Sequence, residues 1–325
     1  MEIFKQYNQL LNPFFEDFKI TKSPQNLYLP IDYILELGGK RIRPFLTLMA
    51  AESFGANPKE ALPAALSVEV FHNFTLMHDD IMDDAPLRRG KTTVHEKWDI
   101  NTALLSGDAM LIRAYQLLEN YPAQMFVKLN QLLSRTALEV CEGQQYDIDF
   151  ETLNNVSQED YIEMIRLKTA VLVGCALKMG AAVAQASEVD CQLFYDFGIQ
   201  LGLAFQLQDD YLDAFGNPET FGKQVGGDIL ENKKTILYHL ALKNGNKLQQ
   251  DRLNELLNSE DKIAANQKIT EVKALFEITE ARSATRDLIS HYTKKADEKL
   301  GAISISEEQK QKFVAVKQRL MSRDH

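Results

Sequence analysis

Two aspartate clusters contain the residues whose types and spacing could do chemistry. Residues 78–84 read His-Asp-Asp-Ile-Met-Asp-Asp, and residues 206–213 read Gln-Leu-Gln-Asp-Asp-Tyr-Leu-Asp, so both contain Asp-Asp-x-x-Asp. Residues four apart on a helix point the same way, so Asp79 and Asp83 would form one acidic stripe. The equivalent pair of the second cluster would form another. Because neighbouring carboxylates repel unless solvent or a hard cation separates them, the pattern indicates Mg²⁺ binding.

Each cluster also has a plainer interpretation, which is a solvated acidic helix end. Both clusters, however, follow apolar helical runs, at 74–77 and 203–207, and this predicts carboxylates at the deep end of a core helix. Mg²⁺ commonly binds one or two carboxylates, several waters and phosphate oxygens, so two clusters predict a diphosphate between them. The basic residues that could bind it follow the clusters, namely Arg88, Arg89 and Lys91 after the first and Lys223, Lys233 and Lys234 after the second.

Helices must position these side chains, because apolar residues recur at intervals of three and four along most of the chain. The periodicity predicts helices near residues 31–54, 60–84, 101–119, 123–143, 158–185, 189–213, 230–243, 247–257, 279–301 and 305–320. The glycine-rich stretch Phe215–Asp228 is too long for a simple connection, and we predict that it forms a lid over the site.

Composition narrows the class of protein. The chain has 325 residues, 45% of them hydrophobic and 25% charged, which predicts one soluble domain over residues 1–325 without a transmembrane segment. A net charge of −10 argues against nucleic-acid binding, which needs a basic face. Residues 1–15 lack the basic head and apolar run of a signal peptide, so we expect a cytoplasmic protein.

Three motifs resemble those of the trans-prenyl diphosphate synthase family, and they follow one another in the same order as in that family. They are Gly38–Pro44 (Gly-Gly-Lys-Arg-Ile-Arg-Pro), Asp79–Asp83 followed by Arg88–Gly90, and Gln206–Asp213. The resemblance runs from Gly38 to about Lys233. It implies a Mg²⁺-dependent prenyltransferase of isoprenoid biosynthesis, which condenses isopentenyl diphosphate with dimethylallyl, geranyl or farnesyl diphosphate.

The resemblance also implies a fold, an assembly and a metal site. The expected fold is all-α, a single-domain bundle around a deep central cavity like that of isoprenoid synthases, and the expected assembly is a homodimer. Family members usually bind three Mg²⁺ ions with the diphosphate. The implied metal ligands are Asp79, Asp83 and Asp209, with Asp80, Asp210 and Asp213 as additional or supporting residues.

The substrate-binding residues are carried over position by position. Those implied for isopentenyl diphosphate are Lys40, Arg43, His72 and Arg89. Those implied for the allylic substrate are Arg88, Lys168, Thr169, Gln206, Lys223 and Lys233, of which Lys168 and Lys223 join Asp79, Asp83 and Asp209 as the catalytic set. Asp84 and Asp228 are expected to orient ligands or basic side chains. Taken singly, His72 could be an ordinary core histidine and Gln206 a buried amide with local partners.

Product length is suggested by Phe74, five residues before Asp79 and therefore about one and a half helical turns away. Its ring could close the pocket for the growing chain, although an aromatic at helical spacing is as often simply core. Family members with an aromatic residue here tend to make short products, and Thr75 leaves more room than a second aromatic would. The first motif lacks the two-residue insertion of many bacterial farnesyl synthases, so we favour the C20 geranylgeranyl product, with C15 farnesyl as the alternative.

Three other functions remain to be weighed. A metal phosphohydrolase is suggested by His72 and the His78-Asp79 pair, but it would leave the second aspartate cluster unexplained. A terpene cyclase would not require the basic residues for a second diphosphate. A non-catalytic subunit should have lost part of an aspartate triplet, and both triplets are intact.

Overall fold

The computed structural model describes residues 2–19, 22–153, 156–217, 225–258 and 264–322. In these ranges the regular structure is helical apart from one short hairpin, as the all-α prediction requires. A search of the same ranges finds no helix that combines the length and the apolar character needed to cross a membrane.

The helices in chain order are α1 (Glu2–Phe18), α2 (Gln25–Glu36), α3 (Ile42–Ser53), α4 (Leu62–Met82), α5 (Val94–Lys97), α6 (Ile100–Leu118), α7 (Ala123–Thr152), α8 (Gln158–Ile165), α9 (Val171–Val183), α10 (Glu188–Phe215), α11 (Gly227–Leu230), α12 (Ile236–Asn244), α13 (Lys247–Asn258), α14 (Ala265–Ile278), α15 (Ala281–Ala302) and α16 (Glu307–Met321). A 3₁₀ turn (Pro58–Ala61) precedes α4, and a π turn (Arg166–Ala170) joins α8 to α9. The strands β1 (Leu87–Arg88) and β2 (Lys91–Thr92) pair antiparallel.

The predicted helix over 31–54 is wrong in one respect, because it is two helices, α2 and α3. The break holds Gly38, Gly39 and Arg41, which all have positive φ (74°, 139° and 46°). A left-handed backbone ends a helix, and apolar periodicity does not report it. The sequence also gave no prediction for α1, which contains Pro13, or for α14, which buries Val272 and Phe276.

The chain divides into two compact units, each made of residues that lie close together in space. Unit 1 comprises Met1–Ala137 and Cys175–Tyr195, and unit 2 comprises Leu138–Gly174 and Asp196–His325. Helices α7, α9 and α10 each contribute residues to both units. A single domain over residues 1–325 and a central cavity stay predictions.

In unit 1, α4 is the central helix, and it packs against α3 and α6. Two glycines allow helices of this unit to approach each other closely. A methyl group at Gly107 of α6 would overlap the imidazole of His78, and one at Gly180 of α9 would overlap the Thr47 carbonyl of α3. Gly107 therefore lets α6 approach the helix that carries the first aspartate cluster, and Gly180 lets α9 approach α3.

In unit 2, α12 packs against α8, α13 and α15, while α14 packs against α11, α13 and α15. The apolar side of α10 is buried, and Phe197 meets Phe313 of α16 edge to face at 5.9 Å. A methyl group at Gly202 of α10 would lie 2.6 Å from Ala170 Cα, so α10 lies against the π turn.

Candidate active site

The first aspartate cluster lies at the C-terminal end of α4. Asp83 follows the last helical residue, and its N–H donates to the Asp79 carbonyl at 2.8 Å, which keeps the two residues one turn apart. Asp84 then adopts a positive φ of 47° and ends the helix. Asp79 is half-buried and Asp83 is exposed, so the predicted stripe exists and borders solvent.

The hairpin β1–β2 follows the cluster, and its turn is Arg89-Gly90, where both residues have positive φ (55° and 74°). Such a turn fits the right-handed twist of a two-residue hairpin. On β1, Arg88 Nε donates to Oδ1 of Asp80 at 2.7 Å, and Nη2 lies 2.6 Å from the same oxygen. Asp80 is only 2% exposed, so one member of the cluster fixes the basic hairpin.

The side chains predicted for isopentenyl diphosphate lie together in unit 1. Nη1 of Arg43 donates to Nε2 of His72 at 3.1 Å, and a methyl group at Gly39 would lie 2.8 Å from the guanidinium of Arg89. Lys40 lies in the same glycine loop, with its side chain exposed. Burial, reinforced by Arg43 and Arg89, lowers the pKa of His72 well below its ordinary value, so its ring is neutral and accepts the hydrogen bond.

A buried carboxyl, Glu69, lies one turn before His72 on α4 and is 5% exposed. Burial raises its pKa, while Arg43, Arg41 and Arg89 oppose that rise. The same group pulls the pKa of Arg43 upwards against the larger effect of burial, which lowers it. Glu69 is therefore a buried carboxyl that interacts with all three arginines, and sequence reasoning missed it because a lone Glu in an apolar run carries no motif.

The second aspartate cluster lies near the end of α10 in unit 2. Asp210 accepts a hydrogen bond from the Tyr161 hydroxyl at 2.6 Å and from Gln206 Nε2 at 3.1 Å. Burial raises the pKa of Asp210 to about 7, although both hydrogen bonds lower it. Thr169 Oγ1 lies 3.4 Å from Gln206 Oε1. The structure thus joins two of the predicted allylic-site residues to a buried carboxyl.

Asp213 binds the backbone at the C-terminal end of the predicted lid. Its Oδ2 accepts from the N–H of Asp228 at 3.0 Å, and its carbonyl accepts from Gly226 at 2.6 Å. Burial raises the pKa of Asp228 to about 6, and Asp213 adds to that rise. Lys233 forms an ion pair with Glu231 at 2.8 Å. The lid residues 218–224, which include Lys223, lie outside the described residues.

Lys168 lies in the π turn, where its ammonium is 2.5 Å from Asp147 Oδ2 of α7. A methyl group at Gly143, one turn before Asp147, would lie 2.7 Å from Lys168 Cα. The glycine therefore admits the turn, and the aspartate pairs with the lysine. Asp147 was missed by sequence reasoning, although the Gly-x-x-x-Asp spacing on one face of α7 was visible.

Phe74 is 8% exposed in unit 1, and its ring meets Phe71 at 5.5 Å and the imidazole of His78 at 4.8 Å. Thr75 donates its hydroxyl to the His72 carbonyl at 2.8 Å. Phe74 is therefore well packed, as expected for a core aromatic. It also lies about one and a half turns before Asp79, as expected for a residue that limits the length of the product.

The aspartates suit Mg²⁺, the metal that the resemblance implies. Mg²⁺ prefers oxygen donors and tolerates an incomplete protein shell, and both clusters offer carboxylates at helix ends. Asp79 and Asp83 border solvent, which leaves room for waters or phosphate oxygens. The donor set thus fits Mg²⁺ better than a metal that requires nitrogen or sulfur ligands.

Comparisons with known proteins identify the family of the chain. The family model described as Polyprenyl synthetase matches residues 24–278. The chain is 42% identical over 228 residues to a geranylgeranyl diphosphate synthase of Methanosarcina mazei, covering 69% of this chain and 70% of the relative. It is 39% identical over 235 residues to a geranylfarnesyl diphosphate synthase of Natronomonas pharaonis, covering 67% and 69%. A crystal structure of geranylgeranyl pyrophosphate synthase is 52% identical with a TM-score of 0.94, covering 99% of each chain.

The fold and the two carboxylate clusters define an all-α isoprenoid synthase, and the chain belongs to the polyprenyl synthetase family. It is a prenyltransferase of isoprenoid biosynthesis.

Proposed function

We propose that this prenyltransferase condenses isopentenyl diphosphate with allylic diphosphates in the presence of Mg²⁺ and releases mainly geranylgeranyl diphosphate. The observation that carries the proposal is the cationic cluster of unit 1, in which Arg43 bonds to a neutral His72 and Arg89 lies on Gly39. A site for one diphosphate and its metals does not need this cluster. An enzyme that holds a second diphosphate does.

In this proposal Lys40, Arg43 and Arg89 bind the diphosphate of isopentenyl diphosphate, and His72 orients Arg43. A guanidinium can bind phosphate through two parallel hydrogen bonds, which fixes the substrate's direction as well as its position. Glu69 interacts with Arg43, Arg41 and Arg89, and in its ionised form it offsets the mutual repulsion of these guanidinium groups before substrate arrives.

Asp79, Asp83 and Asp209 are the proposed Mg²⁺ ligands, with Asp80, Asp210 and Asp213 in supporting positions, and we propose three ions. Bound Mg²⁺ neutralises the diphosphate as it leaves the allylic carbon. Asp80 binds Arg88 and Asp213 binds the Asp228 N–H, and in these positions they would hold the backbone and the basic hairpin around the site. The number of ions is open to measurement by titration.

The allylic diphosphate is assigned to Arg88, Lys168, Thr169, Gln206, Lys223 and Lys233. Lys168 is held by Asp147, so its charge is placed before substrate binds. Fixed positive charge stabilises the departing diphosphate, and an apolar wall keeps water from the carbocation. We assign the stabilisation of the departing diphosphate to Lys168 and Lys223.

The C20 product rests on two observations, the relatives named geranylgeranyl synthases and the buried Phe74 on the turn before Asp79. The test is incubation of the purified protein with isopentenyl diphosphate, each allylic diphosphate in turn and Mg²⁺, followed by chromatography of the products. A C20 main product is expected. A C15 or C25 main product would overturn the chain length alone.

The same assay tests the reaction itself. Chelation should abolish condensation, and added Mg²⁺ should restore it. Asp79→Ala and Asp209→Ala should lose turnover while remaining folded, since each removes a metal oxygen and also relieves like-charge crowding. Near-normal turnover of either variant with saturating Mg²⁺ would contradict the assigned ligands.

We also propose a homodimer, because α6 exposes large apolar side chains in the single chain, including Leu105 (61%) and Ile112 (59%). These two residues are seven apart and so share one face of the helix. The single domain over 1–325 and the cytoplasmic location remain predictions from the sequence.

A further inference from the structure

His95, on the short helix α5, has a buried imidazole that the catalytic proposal does not use. Its side chain is 4% exposed, and within the described part of the chain neither ring nitrogen has a hydrogen-bond partner. Buried polar atoms nearly always have partners, and an exception calls for an explanation such as a bound ion. The surroundings of this ring therefore decide what it can bind.

Two carboxylates face the ring. Oε1 of Glu96 lies 3.8 Å from Nε2 of His95, which is too long for a hydrogen bond. A carboxylate oxygen of Asp84 completes a group of three ligand atoms that all lie within 4.8 Å of one another. Two tetrahedral ligands of Zn²⁺, each about 2.0–2.2 Å from the metal, lie roughly 3.5 Å apart. Small side-chain rotations would thus bring all three onto one cation.

The backbone holds these residues in place. Asp84 turns away from α4 with a φ of 47°, and the Thr93 hydroxyl donates to the Ala85 carbonyl at 2.7 Å. The Thr93 N–H also donates to the Pro86 carbonyl at 3.2 Å. These bonds close the base of the hairpin β1–β2, so that Asp84 on one side and His95 on the other are brought together.

We propose that Asp84, His95 and Glu96 form a binding site for a transition-metal dication such as Zn²⁺, separate from the magnesium site. An imidazole nitrogen with two carboxylates is a ligand set of Zn²⁺, whereas Mg²⁺ prefers oxygen alone. Three protein ligands leave a fourth position for water. The bound cation would tie together both ends of the hairpin that carries Arg88 and Arg89.

The test uses the full chain, freed of metal and titrated with Co²⁺ in excess Mg²⁺, so that the aspartate clusters are already occupied. Co²⁺ replaces Zn²⁺ in such sites and reports its ligands through visible absorption. We expect about one equivalent of Co²⁺ to give a saturable band that Zn²⁺ abolishes. Asp84→Asn and Glu96→Gln should each weaken binding roughly tenfold or more, the effect that even supporting residues of metal sites show.

Both of these side chains are exposed, so neither substitution threatens folding as a change of buried His95 could. Asp108→Asn, an exposed aspartate on α6, is the matched control and should leave the band unchanged. Asp79→Asn should also leave it unchanged, because it belongs to the other site. The proposal is overturned if no saturable band forms, if Asp84→Asn and Glu96→Gln leave it intact, or if Asp79→Asn removes it.

Discussion

Gly38 and Gly39 are adjacent residues with positive φ, and only Gly39 lies against Arg89. Both have positive φ, 74° and 139°, so any substitution strains the backbone. A methyl group at Gly38 would meet nothing within 4 Å, whereas one at Gly39 would meet the Arg89 guanidinium at 2.8 Å. The pair therefore separates backbone strain from displacement of a substrate-binding arginine.

We predict that Gly39→Ala raises KM for isopentenyl diphosphate roughly tenfold or more, the loss of about one charge-assisted hydrogen bond. KM for the allylic substrate should change much less. Gly38→Ala should also lower Tm, because its φ is positive, while leaving both KM values near those of wild type. Steady-state kinetics with each substrate varied in turn give the answer, and equal KM shifts in the two variants would remove Arg89 from this site.

The buried environment of His239 should make the stability of the protein depend on pH. It is buried against Tyr161 and Tyr238, at ring separations of 5.2 and 5.3 Å, and burial lowers its pKa to about 4. The unfolded chain has the ordinary value of 6.5, so between these values the unfolded state binds more protons. The stability that the neutral ring contributes is present above pH 6.5 and is lost as pH falls through 4.

His239→Phe removes this titration and keeps an aromatic ring. The free-energy advantage of wild type over His239→Phe should shrink by about 3 kcal/mol between pH 7 and pH 4. Urea unfolding of both proteins across this range measures it. Since other groups titrate alike in both proteins, an advantage that stays constant with pH would contradict the lowered pKa.

At the scale of elements, the contact of α7 with the π turn positions Lys168. Gly143 allows the approach, and Asp147 holds the ammonium one turn later. Gly143→Ala should destabilise the protein by about 1–3 kcal/mol, as overpacking does, and should raise KM for the allylic diphosphate by displacing Lys168. Gly301→Ala is the control, because nothing lies within 4 Å of its new methyl group and helix propensity favours Ala. Unchanged allylic KM in Gly143→Ala would show that the turn does not position the lysine.

A second prediction concerns product length and helix α4, because this helix carries both Phe74 and the first aspartate cluster. Phe74→Ala removes a ring between Phe71 and His78 and opens on the order of 100 Å³ of space. Products should become longer, as chromatography of wild-type and variant products would show. Phe71→Ala empties a neighbouring, fully buried position and serves as the comparison. Active Phe74→Ala with unchanged products would make Phe74 a core residue only.

The elements also show what sequence could and could not predict. The 3.6-residue period and the two Asp-x-x-x-Asp spacings identify α4 and α10, because both depend on local geometry. The pairs Lys168–Asp147 and Tyr161–Asp210 could not be predicted, since they join residues 21 and 49 apart in the chain. Likewise, no local pattern relates His95 to Asp84; the left-handed turn at Asp84 and the closed base of the hairpin bring the two residues together.

In the molecule as a whole, the exposed apolar side chains indicate where two subunits could associate. Leu105 and Ile112 of α6 are 61% and 59% exposed, and Leu104 of the same helix is 39% exposed. Soluble monomers seldom expose contiguous apolar surface on this pattern, and such faces commonly mark interfaces between subunits. Leu248 of α13 is more exposed still, at 82%, and because it belongs to another helix it provides a control.

We predict that the wild-type protein sediments at twice the chain mass of 36.9 kDa and that Leu105→Glu or Ile112→Glu shifts it to the monomer. A charge at the centre of a buried apolar interface is expensive to desolvate, whereas the same charge on a free surface costs almost nothing. Leu248→Glu should therefore remain a dimer. Circular dichroism checks that each glutamate variant keeps its helices, so that a monomer reflects lost association rather than unfolding. Sedimentation velocity decides the matter: a monomeric wild type, or a dimer that survives both α6 substitutions, would mean that this face serves some other purpose.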